Sequence, residues 1–497
     1  MKKKRTTASK LLTALILAGI SLLSCGDQTN PNKPSTSGEA QDTSTNTSDS
    51  PYDFEYPTFD GLDFGGEDFV IYRWEWGMYR EYFEADTQSG DVLNEALWRR
   101  EQKVYNLLNV NIRYENPDGT NHNLPNRIST QVLNDDHTYD LFLTHCCMNL
   151  DQITAEGYLY NFNDLPHIDM TQPYWNQNFQ ETLSIDGYLP LAFSDYLIPD
   201  PDVIFFHKQL LADNDLESPY DLVHNGTWTW DKLIEMAKEV KHDLNGDGVW
   251  DMEDQYGFMA ELDWQFNGIL QSIGDYVVTR DNDGTPIYNP LSDRVVDICK
   301  KLDDFLFTTN AAYTWEWQSD YDVNNGYEPP VSFKDGRALF FMVPMNTASD
   351  YRGTNVNFGI LPFPKYDEAQ EDYLSLNWSG LMAVPSNTET QDMTGAVLEL
   401  LSAEGRATVL PVYYDMILES KISRDEESAK MLDIIFENTV FDFGMTYQVS
   451  GELFYLIPRA LANKHLTAVT YYEQHIRRAN NALEDFLESI ENVIANQ

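Results

Sequence analysis

A mixed α/β fold in two lobes is what this sequence predicts, and three observations carry it. The stretch from about Tyr52 to Gln497 is long enough to bury two separate cores. Between Asp68 and Leu143, strand-like apolar runs alternate with helical sequence, the order of a doubly wound lobe. Pro173-Tyr174-Trp175 then breaks that pattern and opens a region of different texture.

The first 52 residues stand apart from the fold. Lys2, Lys3, Lys4, Arg5 and Lys10 form a basic region, and Leu11 to Leu23 is an apolar run too short to span a bilayer comfortably. Leu22-Leu23-Ser24-Cys25 reads as a lipobox, which makes 1–24 a signal peptide and Cys25 a lipidated, palmitate-bearing first residue. The alternative is an ordinary signal peptide or a short membrane anchor. A lipid on Cys25 anchors the chain to a membrane without spanning it. Residues 25–52 are rich in Ser, Thr, Asn, Asp and Pro and read as a disordered tether.

The formal charge is −47, and removal of five basic residues with the signal makes it −47 − 5 = −52. A field of that sign repels phosphate backbones, which argues against nucleic acid or anionic lipid as ligand. Most of it is a solvated acidic surface. Four cysteines are too few for a disulfide framework, and Cys146-Cys147 and Cys299 show no zinc spacing.

Asp68–Tyr72, Val110–Tyr114 and Tyr139–Leu143 read as strands, with an amphipathic helix from Asp91 to Leu107 between the first two. In that helix Leu93, Ala96, Leu97, Val104 and Leu107 lie on or near one face. Further on, Tyr188–Ser194 and Val203–His207 read as strands, and Ser218–Val223 as a short helical piece. Asp281–Gly284 has the composition of a hairpin turn, and Ser292–Phe307 that of a helix. Val331–Leu361 returns to strand character, Leu376–Pro385 is a further crossing strand, and helical sequence fills most of the remainder.

Asn225 to Phe258 is the most informative stretch. Thr229 is placed to cap a helix whose Leu233, Met236, Ala237 and Val240 share a face. The helix runs into a loop with oxygen donors at Asp243, Asn245, Asp247, Asp251 and Asp254, the carbonyl of Val249, and Gly248 at the sixth position. That is the spacing of a calcium loop, in which a hard cation needs many converging oxygens and Gly permits the sharp turn. Asp254 is shorter than the usual bidentate Glu, and Gly257 argues against a long exiting helix. The expectation is one structural Ca²⁺; the alternative is an acidic turn without metal.

Trp228-Thr-Trp-Asp-Lys-Leu, the Asp-rich loop and Tyr256-Gly257-Phe258 resemble the family 1 extracellular solute-binding proteins, the sugar-binding lipoproteins of ABC importers. So do Phe333-Lys-Asp-Gly-Arg-Ala-Leu-Phe340, Phe358-Gly-Ile-Leu-Pro362 and Arg424 to Gly444. The resemblance implies a two-lobed, periplasmic-binding-protein-like (type II) α/β fold with hinged lobes and multiple crossovers. Carried onto this chain, it implies lobe one at 53–168 and 331–370, and lobe two at 172–325 and 375–497. It further implies a monomer on the extracytoplasmic face that docks on the permease subunits of an ABC importer.

In open α/β sheets ligands bind beyond the carboxyl ends of strands. That rule nominates Trp74, Glu75 and Trp76 after the first strand, His145 after the third, and Asp195 and Tyr196 in the second lobe. Trp175 and Trp378 flank the expected crossovers. Trp rings stack on the C–H face of a pyranose while Asp, Glu and Asn meet its hydroxyls, so a carbohydrate, with oligosaccharide favoured, is the expected ligand. For any single Trp the alternative is core packing, and Trp228 and Trp230 read as core. Peptides, polyols and glycerol phosphates suit the same architecture. A surface glycosidase or lyase would use paired carboxylates, but no Gly-x-Ser-x-Gly, His-Glu-x-x-His or phosphate-cradling loop is present. A calcium-dependent adhesin is the third reading.

Overall fold

The structure is a computed structural model and describes residues 54–74, 83–85, 91–116, 123–315, 329–351, 354–419, 426–449, 451–463 and 466–496. The signal segment, Cys25 and the tether lie outside the described residues, as do Glu75 and Trp76. Among the described residues no helix is long and apolar enough to cross a membrane.

The strands are β1 (Glu67–Tyr72), β2 (Val110–Glu115), β3 (Leu141–His145), β4 (Asp202–His207), β5 (Tyr256–Glu261), β6 (Val278–Arg280), β7 (Pro286–Tyr288), β8 (Ala312–Trp315), β9 (Ala338–Pro344), β10 (Phe358–Leu361), β11 (Ser375–Leu376), β12 (Gly380–Ala383) and β13 (Thr439–Val440). They build a four-stranded sheet in the order β12-β3-β1-β2 and a five-stranded sheet in the order β10-β4-β9-β5-β8. In the first, β1 runs parallel to β2 and β3, and β12 is antiparallel to β3 with Gly380 opposite His145. In the second, β5 is parallel to β8 and β9, while β4 is antiparallel to β9 and β10.

Each element follows from local chemistry. The helix Val92–Leu108 starts where Asp91 accepts hydrogen bonds from the backbone of Leu93 and Asn94, both at 3.1 Å, and ends at Asn109 in the left-handed region. Its buried face closes on Leu108 rather than Leu107, which is exposed. The helix Trp230–Val240 begins where the Thr229 hydroxyl accepts the Lys232 N–H at 3.3 Å. Trp228 and Trp230 are fully buried, their indole N–H groups donating to the Pro362 carbonyl and to Ser272 Oγ. Gly257 follows from close packing, since a Cβ there would stand 1.9 Å from the Ala237 carbonyl. The Asp281–Gly284 turn joins β6 to β7, with Gly284 at φ 85°.

Strand pairing corrects the expected lobe division. Segment 331–370 was assigned to lobe one, yet β9 pairs with β4 and β5, and β10 pairs with β4, all in the second sheet. Conversely, β12 was assigned to lobe two and pairs with β3 in the first. Apolar strand sequence states burial and not which sheet completes the ladder, so the error arises from topology. The Tyr188–Ser194 strand is also corrected. That stretch makes isolated bridges, Ile185 to Tyr188, Trp175 to Ser194 and Ala192 to Met382, because it crosses between sheets and meets a different partner at each step.

Two such crossings pair with each other. Ala192 and Met382 exchange backbone hydrogen bonds at 3.1 and 2.9 Å, and Pro201 bridges Asn377. The Trp378 N–H donates to the Asp200 carbonyl at 3.1 Å, the Asp200 N–H to Asn377 Oδ1 at 2.8 Å, and Ser379 Oγ to the Ile198 carbonyl at 2.8 Å. The buried Asp200 carboxylate accepts the backbone and side-chain N–H of Asn346 at 2.8 and 2.7 Å, which ties the crossing to the end of β9. The end of β3 and the start of β12 therefore meet the start of β4 and the end of β9 at a paired, hydrogen-bonded crossing.

Candidate functional site

The strand ends at this crossing carry the candidate site. Glu261 is the last residue of β5, and Asp263, Trp264 and the turn Gln265–Gly268 follow it. Asp202 opens β4 at the same end of the sheet, because β4 is antiparallel to β9 and pairs Asp202 with Pro344. Asp202 Oδ2 accepts the Trp378 indole N–H at 2.7 Å. Gly268 is required beside it, since a Cβ there would stand 2.3 Å from the same oxygen. Trp264 is 39% exposed and meets Trp378 edge-on at 6.0 Å and Tyr455 at 6.4 Å. Arg459 lies over the Tyr455 ring and 4.0 Å from Asp263.

From the first sheet, His145 ends β3, with its ring against Trp74 at 6.0 Å and Nδ1 at 3.1 Å from Cys147 Sγ. Burial drives its pKa down to about 3, against the effect of a hydrogen bond with the Trp378 backbone, so the imidazole is neutral. Gly380 gives the Trp74 ring its place, as a Cβ there would stand 1.9 Å from the indole edge.

Several buried polar atoms at these strand ends have no hydrogen-bond partner among the described residues: Asp202 Oδ1, Glu261 Oε1, Gln265 Oε1, Asn267 Oδ1 and Asn377 Nδ2. A buried polar atom without a partner costs about 1–3 kcal/mol, so these five atoms are candidates to meet a ligand or ordered water. Burial also pushes the Glu261 carboxyl up to about 7 and holds Asp202 well above the carboxylate range. Perturbed acids at a cleft are a signature of functional sites.

The nominated residues divide. His145, Trp74 and Trp378 come together here. Trp74 is only 1% exposed, so it supports the site rather than offering a face, and Trp378 is itself buried. Trp175 belongs to the core, with its N–H on Glu399 Oε2 at 2.8 Å. Tyr196 is fully buried, its hydroxyl 3.1 Å from that of Tyr114 and the Arg100 guanidinium over its ring. Asp195 pairs with Arg406 at 3.1 Å. The last three were nominated from the supposed Tyr188 strand, or from a crossover position, that the fold does not provide. Sequence reasoning missed Trp264, Glu261 and Asp202. The rule of strand carboxyl ends would have found Glu261 and Trp264 had it been applied to β5.

The Asp243–Asp254 loop closes on itself through its side chains. Asp243 accepts from the N–H of Gly246 at 2.7 Å and Gly248 at 2.9 Å, Asn245 from Asp247, Asp247 from Val249 and Asp251 from Glu253. Asp254 is fully buried and receives the N–H of Leu244 and Asp251. Gly248 at φ 78° makes the sharp turn expected of it. The turn is the one its Asp, Asn and Gly residues dictate. Among the described residues no group of three or more His, Cys, Asp or Glu is arranged to hold a metal. A separate groove of about 940 Å³ lies between Ala155–Tyr160 and the end of the C-terminal helix, away from the strand ends.

The family model for bacterial extracellular solute-binding proteins matches residues 109–403, more than half of the chain. The chain belongs to this family. As a solute-binding protein it captures a ligand and performs no catalysis on it. No curated protein matches the sequence. Among solved structures, an ABC substrate-binding protein from Listeria monocytogenes in complex with cycloalternan is 13% identical, with TM-score 0.54, covering 86% of this chain and 99% of its own. The maltose/maltodextrin-binding domain MalE from Bdellovibrio bacteriovorus, bound to maltotriose, is 14% identical, with TM-score 0.55 and coverage of 84% and 100%. UgpB from Mycobacterium tuberculosis, in complex with glycerophosphocholine, is 12% identical, with TM-score 0.53 and coverage of 84% and 98%. Identities this low establish the shared two-lobed fold.

Proposed function

We propose that this solute-binding protein captures a carbohydrate, with oligosaccharide favoured, between its two sheets and delivers it to the permease of an ABC importer. The observation that carries the reading is the strand-end cluster. An exposed indole, Trp264, and a half-buried phenol, Tyr455, stand beside one buried oxygen each of Asp202, Glu261 and Asn267 that lacks a partner among the described residues. Ring faces and unfilled acceptors together suit the C–H face and hydroxyls of a sugar. The cycloalternan and maltotriose held by fold relatives support it. Closure must bind ligand better than the open form does, and the paired hinge strands supply a place for that motion. Isothermal titration of the full chain with maltotriose, cellotriose and chitotriose tests the reading. Binding of any one at micromolar Kd supports it, and tighter binding of a peptide or polyol than of every sugar overturns it.

The Leu22–Cys25 lipobox and the polar run after it support a chain tethered to the extracytoplasmic face of the cell membrane by a lipid on Cys25. Metabolic labelling with palmitate, lost in Cys25→Ser, tests this. The Asp243–Asp254 spacing and its self-closing turn support a structural Ca²⁺, held by Asp243, Asn245, Asp247, the Val249 carbonyl, Asp251 and Asp254. Its charge would offset the mutual repulsion of the loop carboxylates.

A further inference from the structure

We propose that Asp202 is a positioning residue for the solute site: one of its carboxyl oxygens sets the orientation of Trp264, the exposed indole. This rests on reading the strand-end cluster as the solute site.

Two contacts converge on that oxygen. Asp202 is fully buried at the start of β4, where pairing with Pro344 of β9 fixes its backbone. Its Oδ2 accepts the Trp378 indole N–H at 2.7 Å. The same atom bounds Gly268, where a Cβ would stand 2.3 Å from it and 3.4 Å from the Phe363 ring. Gly268 closes the turn Gln265–Gly268, which Trp264 opens. Trp378 in turn meets the Trp264 ring edge-on, at 6.0 Å and 85°. One oxygen therefore places both the ring that Trp264 leans on and the turn that carries it. The bond does not depend on ionisation, since a carboxyl oxygen accepts an indole N–H whether or not the other oxygen bears a proton.

The surroundings of Trp264 restrict it further. The Asn267 backbone N–H donates to the Trp264 carbonyl and its Nδ2 to the Asp263 carbonyl, both at 3.1 Å. Tyr455 borders a second side of the indole at 6.4 Å and 73°, and Arg459, over the Tyr455 ring, lies 4.0 Å from Asp263. An indole that is 39% exposed and yet bordered edge-on by two rings has its plane set before a ligand arrives. A loosened ring has to be ordered at the moment of binding, which weakens binding about two- to tenfold.

The test uses the full chain labelled with 5-fluorotryptophan, in which Trp264→Phe identifies the fluorine resonance of Trp264. Asp202→Leu keeps the side-chain shape and removes the acceptor, and should move that resonance toward the position of free 5-fluorotryptophan in water. Asp202→Asn, whose amide oxygen accepts the same N–H, should leave it in place. If Asp202→Leu does not fold, Asp202→Ala, which only removes atoms, takes its place. A Trp264 resonance that stays put while the melting temperature falls makes Asp202 purely structural and overturns the proposal, as does an equal displacement in Asp202→Asn. Calorimetry with the tightest binder among maltotriose, cellotriose and chitotriose supplies a second arm. Asp202→Leu should bind about two- to tenfold more weakly, and the same substitution in a Trp264→Ala background should add nothing. An equal loss in both backgrounds, or a displaced ring with unchanged affinity, overturns the proposal. A displaced resonance in a chain whose wild type binds none of the three sugars supports the coupling of Asp202 to Trp264 and removes the carbohydrate reading.

Discussion

Replacing Glu399 by Gln should flatten part of the pH dependence of stability. Glu399 lies on the buried helix Gln391–Glu404, is 2% exposed, and accepts the Tyr174 hydroxyl at 2.5 Å, the Trp175 indole N–H at 2.8 Å and the Asp169 N–H at 3.3 Å. Burial pushes its carboxyl up to about 7 from an ordinary 4.5, against the lowering effect of those three donors. The folded chain therefore keeps a proton that the unfolded chain releases between pH 4.5 and about 7. Stability falls as pH rises through that window, and the loss is absent below it and complete above it. Its size is on the order of 3 kcal/mol. The Gln variant carries no such charge, so its stability relative to wild type should rise by about 2–3 kcal/mol from pH 5 to pH 8. Glu101 and Glu261 are raised to about 7 as well, but both proteins retain them, so they cancel in the difference. Urea unfolding at pH 5, 6, 7 and 8, followed by circular dichroism, measures this. Parallel stability curves for the two proteins would refute the reasoning. Glu399→Leu, which strands three buried donors, should instead lose roughly 3–6 kcal/mol at every pH.

Trp264→Ala should weaken binding of the best sugar by about 2 kcal/mol, roughly thirtyfold, with little change in melting temperature, because the ring is 39% exposed; an unchanged Kd would remove Trp264 from the site. Gly257→Ala should destabilise the protein by about 3 kcal/mol or more in urea, since its Cβ meets the Ala237 backbone at 1.9 Å. Gly284→Ala has open space and only an unfavourable φ of 85°, and should cost about 1 kcal/mol. Chelation with EGTA should lower the melting temperature by several degrees, by mass action on a bound ion, and Asp247→Ala should abolish that difference; superimposed melts with and without chelator would dispose of the calcium proposal.

Much of the fold is legible in the sequence because it is locally encoded. Asp91, Thr229 and Ser292 cap the helices they precede through their own side chains, and the buried faces follow helical spacing. The Asp243–Asp254 turn is likewise a matter of neighbouring residues bonding one another. Trp228 and Trp230 are core, as expected, because one elementary pattern sets both helix start and burial.

What tertiary structure alone decides is which sheet each apolar strand joins and which aromatic rings reach solvent. Sequence gives β9, β10 and β12 as strands, but their hydrogen-bonding edges are alike, and only the crossover at Pro201–Asn377 sends the first two to one sheet and the last to the other. Trp175 and Trp264 are both Trp near polar residues. Glu399, more than two hundred residues away, draws one into the core, while the end of β5 leaves the other at the surface. Caps and turns depend on atoms a few bonds apart. Sheet membership and the exposure of a ring depend on partners that the chain brings together only by folding.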